Sequence, residues 1–71
     1  MSKFFNTNPW TDLSTGITWR GTGEVLDVIS AYDWEEVVEG EDENGNIWTA
    51  SATVSIGEIQ EIYEPKLEEN F

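Results

Sequence analysis

Two runs of strand-forming residues flank Glu43-Asn44-Gly45-Asn46, and this limits the fold more than any other feature of the chain. Asn-Gly between such runs is the strongest short-range hairpin signal, because the left-handed backbone of a tight turn suits glycine and is tolerated by asparagine. Residues 32–54 are therefore predicted to form a hairpin. Side chains alternate between faces along a strand, so a slip of one residue exchanges the buried and the exposed sets. A two-residue Asn44-Gly45 loop would place Trp48, Ala50 and Val54 beside Glu41, Glu39 and Glu35. A three-residue loop, Glu43-Asn44-Gly45 with Gly45 left-handed, pairs Trp34 with Val54, Val38 with Ala50 and Gly40 with Trp48. The second register keeps the apolar residues on one face and is the one expected. Glu36 is its misfit, because it points inward opposite Ala52.

No stretch sustains the 3.6-residue period of a helix. Extended segments are expected at 17–20 and 23–29, as one strand bent where Gly21 and Gly23 relieve the backbone, and again at 59–64, ended by Pro65. Residues 1–16, with Asn6, Asn8-Pro9, Ser14 and Gly16, read as an irregular arm. The expected fold is all-β: a small antiparallel meander of four to five strands curled into an SH3-like or OB-like barrel. It divides into an irregular N-terminal arm (1–16), an acidic β-barrel domain (17–64) and a short C-terminal tail (65–71). Nine aromatics, four of them Trp, argue against disorder despite the charge.

That charge is large and uneven. The 71 residues carry three Lys and Arg against fifteen Asp and Glu, a net of −12. Residues 1–20 contribute one acid and two cations, whereas residues 21–71 hold fourteen acids against Lys66 alone, a net of −13. Solubility asks for a magnitude of only about 2 to 8 in a small domain. Direct nucleic-acid binding is disfavoured, since affinity for phosphates comes from Lys and Arg that release counterions.

The absence of His and Cys removes the commonest general base, the thiolate nucleophile, disulfides and Cys-based zinc sites. No cofactor and no catalytic residue is expected, and the chain is not expected to be an enzyme. A metal site is not expected either. Residues 40–51 match an EF-hand loop at its third, fifth, sixth and eighth positions but put Gly40 at the first and Ser51 at the twelfth, where carboxylates are required. No apolar run reaches the roughly 18 residues of a membrane span, and the start shows no signal-peptide core. A cytoplasmic protein that binds no membrane is expected.

Six of the nine residues from 35 to 43 are acidic. The candidate partner-binding residues are Glu35, Glu39, Glu41, Asp42 and Glu43, which supply charge, with Trp10 and Trp19 as apolar anchors. One strand places acids about 6.6 to 6.8 Å apart, sparser than DNA phosphates at about 3.4 Å per strand. An imitation of nucleic acid would need a second acidic row, for which Glu24, Asp27, Glu58, Glu61 and Glu64 are available. The function expected is that of a non-enzymatic acidic protein docking on a basic surface of a cytosolic partner. In its sharper form it is an inhibitor or nucleic-acid mimic acting on a nucleic-acid-binding protein, of the kind a virus or mobile element encodes, in the host cytoplasm. The competing expectation is a structural or accessory subunit of a larger assembly whose charge serves solubility.

Overall fold

The structure, a computed structural model, describes residues 6–68. Among these there is no helix, and five strands are formed: β1 (Trp10–Asp12), β2 (Ile17–Val28), β3 (Asp33–Glu41), β4 (Ile47–Ser55) and β5 (Glu58–Leu67). Each strand pairs antiparallel with the next in the order β1-β2-β3-β4-β5, and the sheet curls into a half-barrel of the small SH3/OB-like kind.

The central hairpin has the expected register. Trp34 pairs with Val54, Glu36 with Ala52, Val38 with Ala50 and Gly40 with Trp48, and Gly45 takes a φ of 85°. The inner face therefore collects Ile17, Trp19, Trp34, Val38, Ala50, Ala52, Val54 and Ile59 as a buried core, with Val25, Trp48 and Ile62 packed against it. Gly40 is required there, because a Cβ would lie 2.5 Å from Ile17 Cγ2 and 2.8 Å from the Trp19 ring. The indole of Trp19 occupies the space that a side chain at its cross-strand partner would fill.

β2 bends as the two glycines suggest. Its pairing with β3 shifts register between Gly21 and Val25 and again before Asp27, and Gly23 sits at φ 90°. Such bulges increase local twist and help a sheet to curl. Two expectations are corrected. The segment expected to be irregular contains β1, held against β2 by a turn in which the Thr15 and Gly16 N–H groups donate to the Asp12 carbonyl at 3.2 and 2.8 Å. Three residues are too few to show a period, so only the partner strand defines this element. β5 also continues through Pro65 to Leu67. It is an edge strand, where a missing N–H costs no ladder bond, and a register shift between Thr49 and Ser51 accommodates Glu64 at φ 49°.

Glu36 is 1% exposed on the inner face. Its carboxylate accepts hydrogen bonds from the Thr7 hydroxyl, from Trp34 Nε1 at 2.9 Å and from the Gly23 N–H at 2.8 Å. Gly21 makes room for it, since a Cβ there would stand 2.4 Å from Glu36 Oε2. Residues 6–9 thereby cross the inner side of the sheet. The Asn8 N–H donates to the Gly57 carbonyl at 2.8 Å, and its side-chain amide donates to Glu58 at 2.7 Å.

Candidate partner-binding surface

Cross-strand partners share a face, so the register alone assembles the outer surface into rows running across the strands. Nearest one end lie Asp33, Ser55 and Glu58; next come Asp27, Glu35, Thr53 and Glu61. Val37, Ser51 and Tyr63 form the middle row. Arg20, Glu39, Thr49 and Lys66 follow, and then Thr18, Glu41 and Ile47. Adjacent strands are about 4.8 Å apart. Glu35, Glu39 and Glu41 thus share the outer face with Asp27, Glu58 and Glu61, while Glu24 and Glu64 fall at irregular positions outside these rows.

The rows differ in charge. Glu39 has Arg20 beside it and Lys66 two strands away, whereas Glu35 stands between Asp27 and, beyond Thr53, Glu61. The two rows nearest the β2–β3 turn hold five carboxylates and no Lys or Arg. Tyr63 registers this field: its hydroxyl donates to Glu61 Oε1 at 2.7 Å, and that bond holds the phenol above the usual tyrosine range. The negative charges of Glu61 and Glu35 push the same way, against an opposing bond with Thr53.

The remaining candidates separate. Asp42 is spent on its own loop: it accepts from the Asn44 N–H and the Asn46 N–H, each at 2.9 Å, and from Asn46 Nδ2 and Trp48 Nε1, each at 3.1 Å. The Trp48 indole, with the Asn46 and Asn44 donors, draws its carboxyl down from 3.8 to about 2, although desolvation pushes the other way more strongly than any one of the Asn bonds pulls. The EF-hand resemblance dissolves for the same reason, since the one aspartate at a ligand position is engaged by loop amides. Glu43 is exposed and lies over Gly16. Trp10 pairs with Trp19 at the rim of the inner face and is 40% exposed. Trp19 is 1% exposed and belongs to the core, so the anchor role expected of it does not hold. Among the described residues no group of three or more Asp and Glu is placed to hold a metal ion, and no helix is long and apolar enough to cross a membrane.

The end beside the two uncompensated rows has its own character. Val28, Ile29 and Tyr32 around the β2–β3 turn, and Ile56 in the β4–β5 turn, are large, apolar and exposed. An open cleft of about 330 Å³ lies between these turns, lined by Ala31, Tyr32, Trp34, Ile56 and Gly57 with Asn6 and Asn8. Sequence reasoning missed this grouping, because the residues are separated by a whole hairpin; the one local signal was an Ile at the first position of a two-residue Ile-Gly loop. Comparison with protein-family models, curated proteins and solved structures finds no match.

Proposed function

We propose that this is a non-enzymatic binding protein that docks its acidic outer face on a basic surface of a cytosolic protein partner. The observation that supports this reading best is the pair of rows Asp33–Glu58 and Asp27–Glu35–Glu61, in which five carboxylates have no cation among them. Such a field steers a cationic partner and raises its association rate by about 10 to 10³ at low salt, an effect that salt screens. A nucleic-acid-binding protein is the sharper form of the partner, with this chain as an inhibitor of viral or mobile-element type. Rows about 6.6 to 6.8 Å apart along the strand are sparser than phosphates at about 3.4 Å, which favours imitation of the field over imitation of each phosphate.

The competing reading, an accessory subunit of a larger assembly, draws support from the exposed apolar end. The two part on salt. Affinity capture on the immobilised protein, eluted by a salt gradient, is expected to release the partner at moderate salt, with added DNA or RNA displacing it. Replacing Asp27, Glu35 and Glu61 together by Lys is expected to slow association at low salt by at least about tenfold. A partner that resists high salt and is indifferent to the triple reversal would make the chain a subunit.

A further inference from the structure

The β4–β5 connection breaks a rule that the other turns obey. Ile56 and Gly57 form a two-residue loop with φ values of 51° and 77°, the primed geometry that matches the twist of a hairpin. Its first position suits Asn, Asp or Gly, and a β-branched residue in the left-handed region is a true outlier. Burial does not compensate, since Ile56 is 74% exposed. The Ile56 N–H donates to the Tyr32 carbonyl at 2.8 Å, which holds the two turns side by side with the cleft between them. Strain of this kind persists where the surrounding structure holds it and clusters at binding sites.

Charge specifies what the apolar end can accept. Asp33 and Glu58 occupy the adjoining row and Asp27, Glu35 and Glu61 the next, so the apolar surface has an acidic border on its outer side. A second copy of the chain would bring two such borders together and be repelled. Asp33 accepts from the Ser30 and Ser55 hydroxyls and Glu58 from the Asn8 amide, which leaves further lone pairs on each carboxylate for an incoming cation.

We infer that this end is a docking site for a protein segment whose apolar side chains are flanked by Lys or Arg. An apolar side chain enters the cleft between Tyr32 and Ile56, and the cations lie on Asp33, Glu58 and the Asp27–Glu35–Glu61 row. The inference rests on the basic-partner reading and gives that partner a contact geometry.

Two short synthetic peptides of equal charge test it by amide chemical-shift titration of the whole protein, one alternating Lys with Leu and one alternating Lys with Ser. The Lys/Leu peptide is expected to bind at least about fivefold more tightly, with shifts at Ile29, Tyr32 and Gly57. Ile56→Asn, which relaxes the turn and so keeps the fold, is expected to erase that preference and leave the Lys/Ser affinity unchanged. Equal binding of the two peptides, or a preference that survives Ile56→Asn, would overturn the docking site, while weakening of both by Glu35→Lys with Glu61→Lys would still uphold the basic-partner reading. Failure of both peptides to bind, or indifference of both to that charge reversal, would overturn both readings.

Discussion

The two ends of the sheet are built from opposite materials. At one end the β3–β4 loop follows every local preference: Gly45 takes the left-handed position, and the Asp42 carboxylate gathers the Asn44, Asn46 and Trp48 donors. At the other, the β4–β5 loop puts an exposed Ile at φ 51° with no side chain of the loop capping it among the described residues. The β1–β2 turn resembles the first kind, with Asp12 accepting from the Ser14 N–H at 3.0 Å and hydroxyl at 2.7 Å, and the β2–β3 turn is braced by Ser30 and Asp33 in the same way. Three turns out of four therefore spend their polar side chains on holding themselves. The exception is the turn that holds an exposed β-branched side chain at a left-handed φ, and a local rule broken without local compensation is where function is to be sought.

The largest expected effect would abolish the contrast altogether. Glu36 lies between the ends and joins β3 to β2 and to residue 7. Glu36→Ala would leave the buried Trp34 indole N–H without this acceptor, at about 1 to 3 kcal/mol, and would also remove the bonds from the Thr7 hydroxyl and the exposed Gly23 N–H, a large share of the stability of a small domain. Loss of the cooperative transition in thermal denaturation followed by Trp fluorescence checks this. Retention of the wild-type melting temperature would mean that the carboxylate is not an anchor.

The next pair of substitutions sharpens the contrast, because the two should differ in sign. Gly45→Ala forces a Cβ into the left-handed region and is expected to destabilise by about 1 to 2 kcal/mol. Ile56→Asn places a residue suited to its position and is expected to stabilise by about 1 kcal/mol, a gain of roughly 4 to 8 °C in melting temperature. Equal and opposite shifts would support the division into a relaxed and a strained end; shifts of the same sign would remove it.

The smallest effect is local and depends on pH. Asp42 titrates near 2 in the folded chain and near 3.8 when unperturbed, so its stabilisation of the loop is complete above 3.8 and fades as pH falls toward 2. Asp12 and Asp33 are lowered too, each chiefly by a hydroxyl donor, Ser14 for the first and Ser55 for the second. The Trp48 Nε1 proton resonance should move through this window in the wild type. In Asp42→Asn it should not move.

The hairpin register was legible in the sequence because two independent signals agreed: the turn chemistry of Gly45 and the separation of Trp34, Val38 and Val54 from Glu35 and Glu39. The inward aim of Glu36 followed from that register. Its partners did not, since Thr7 is 29 residues away and Gly23 lies across a bulge. The convergence of Asp27 and Glu61 on Glu35 was hidden for a similar reason, because register shifts in β2 and β5 decide which acids face outward. Trp19 was ambiguous until Gly40 came to lie opposite it: a ring that fits where a Cβ cannot is a core ring.

The first and last strands flank an open gap in the half-barrel, and the chain crosses it with residues 6–9 instead of a ladder. Thr7 on Glu36, the Asn8 backbone on Gly57 and the Asn8 amide on Glu58 make up that crossing. Hydrogen bonds of this kind contribute about 1 kcal/mol each, far less than the four strand pairings they span. Mechanically the molecule is a clasp: among the described residues two side chains and one amide bridge its open side, and under a load that spreads the terminal strands these few bonds would part first while the sheet behind remained whole.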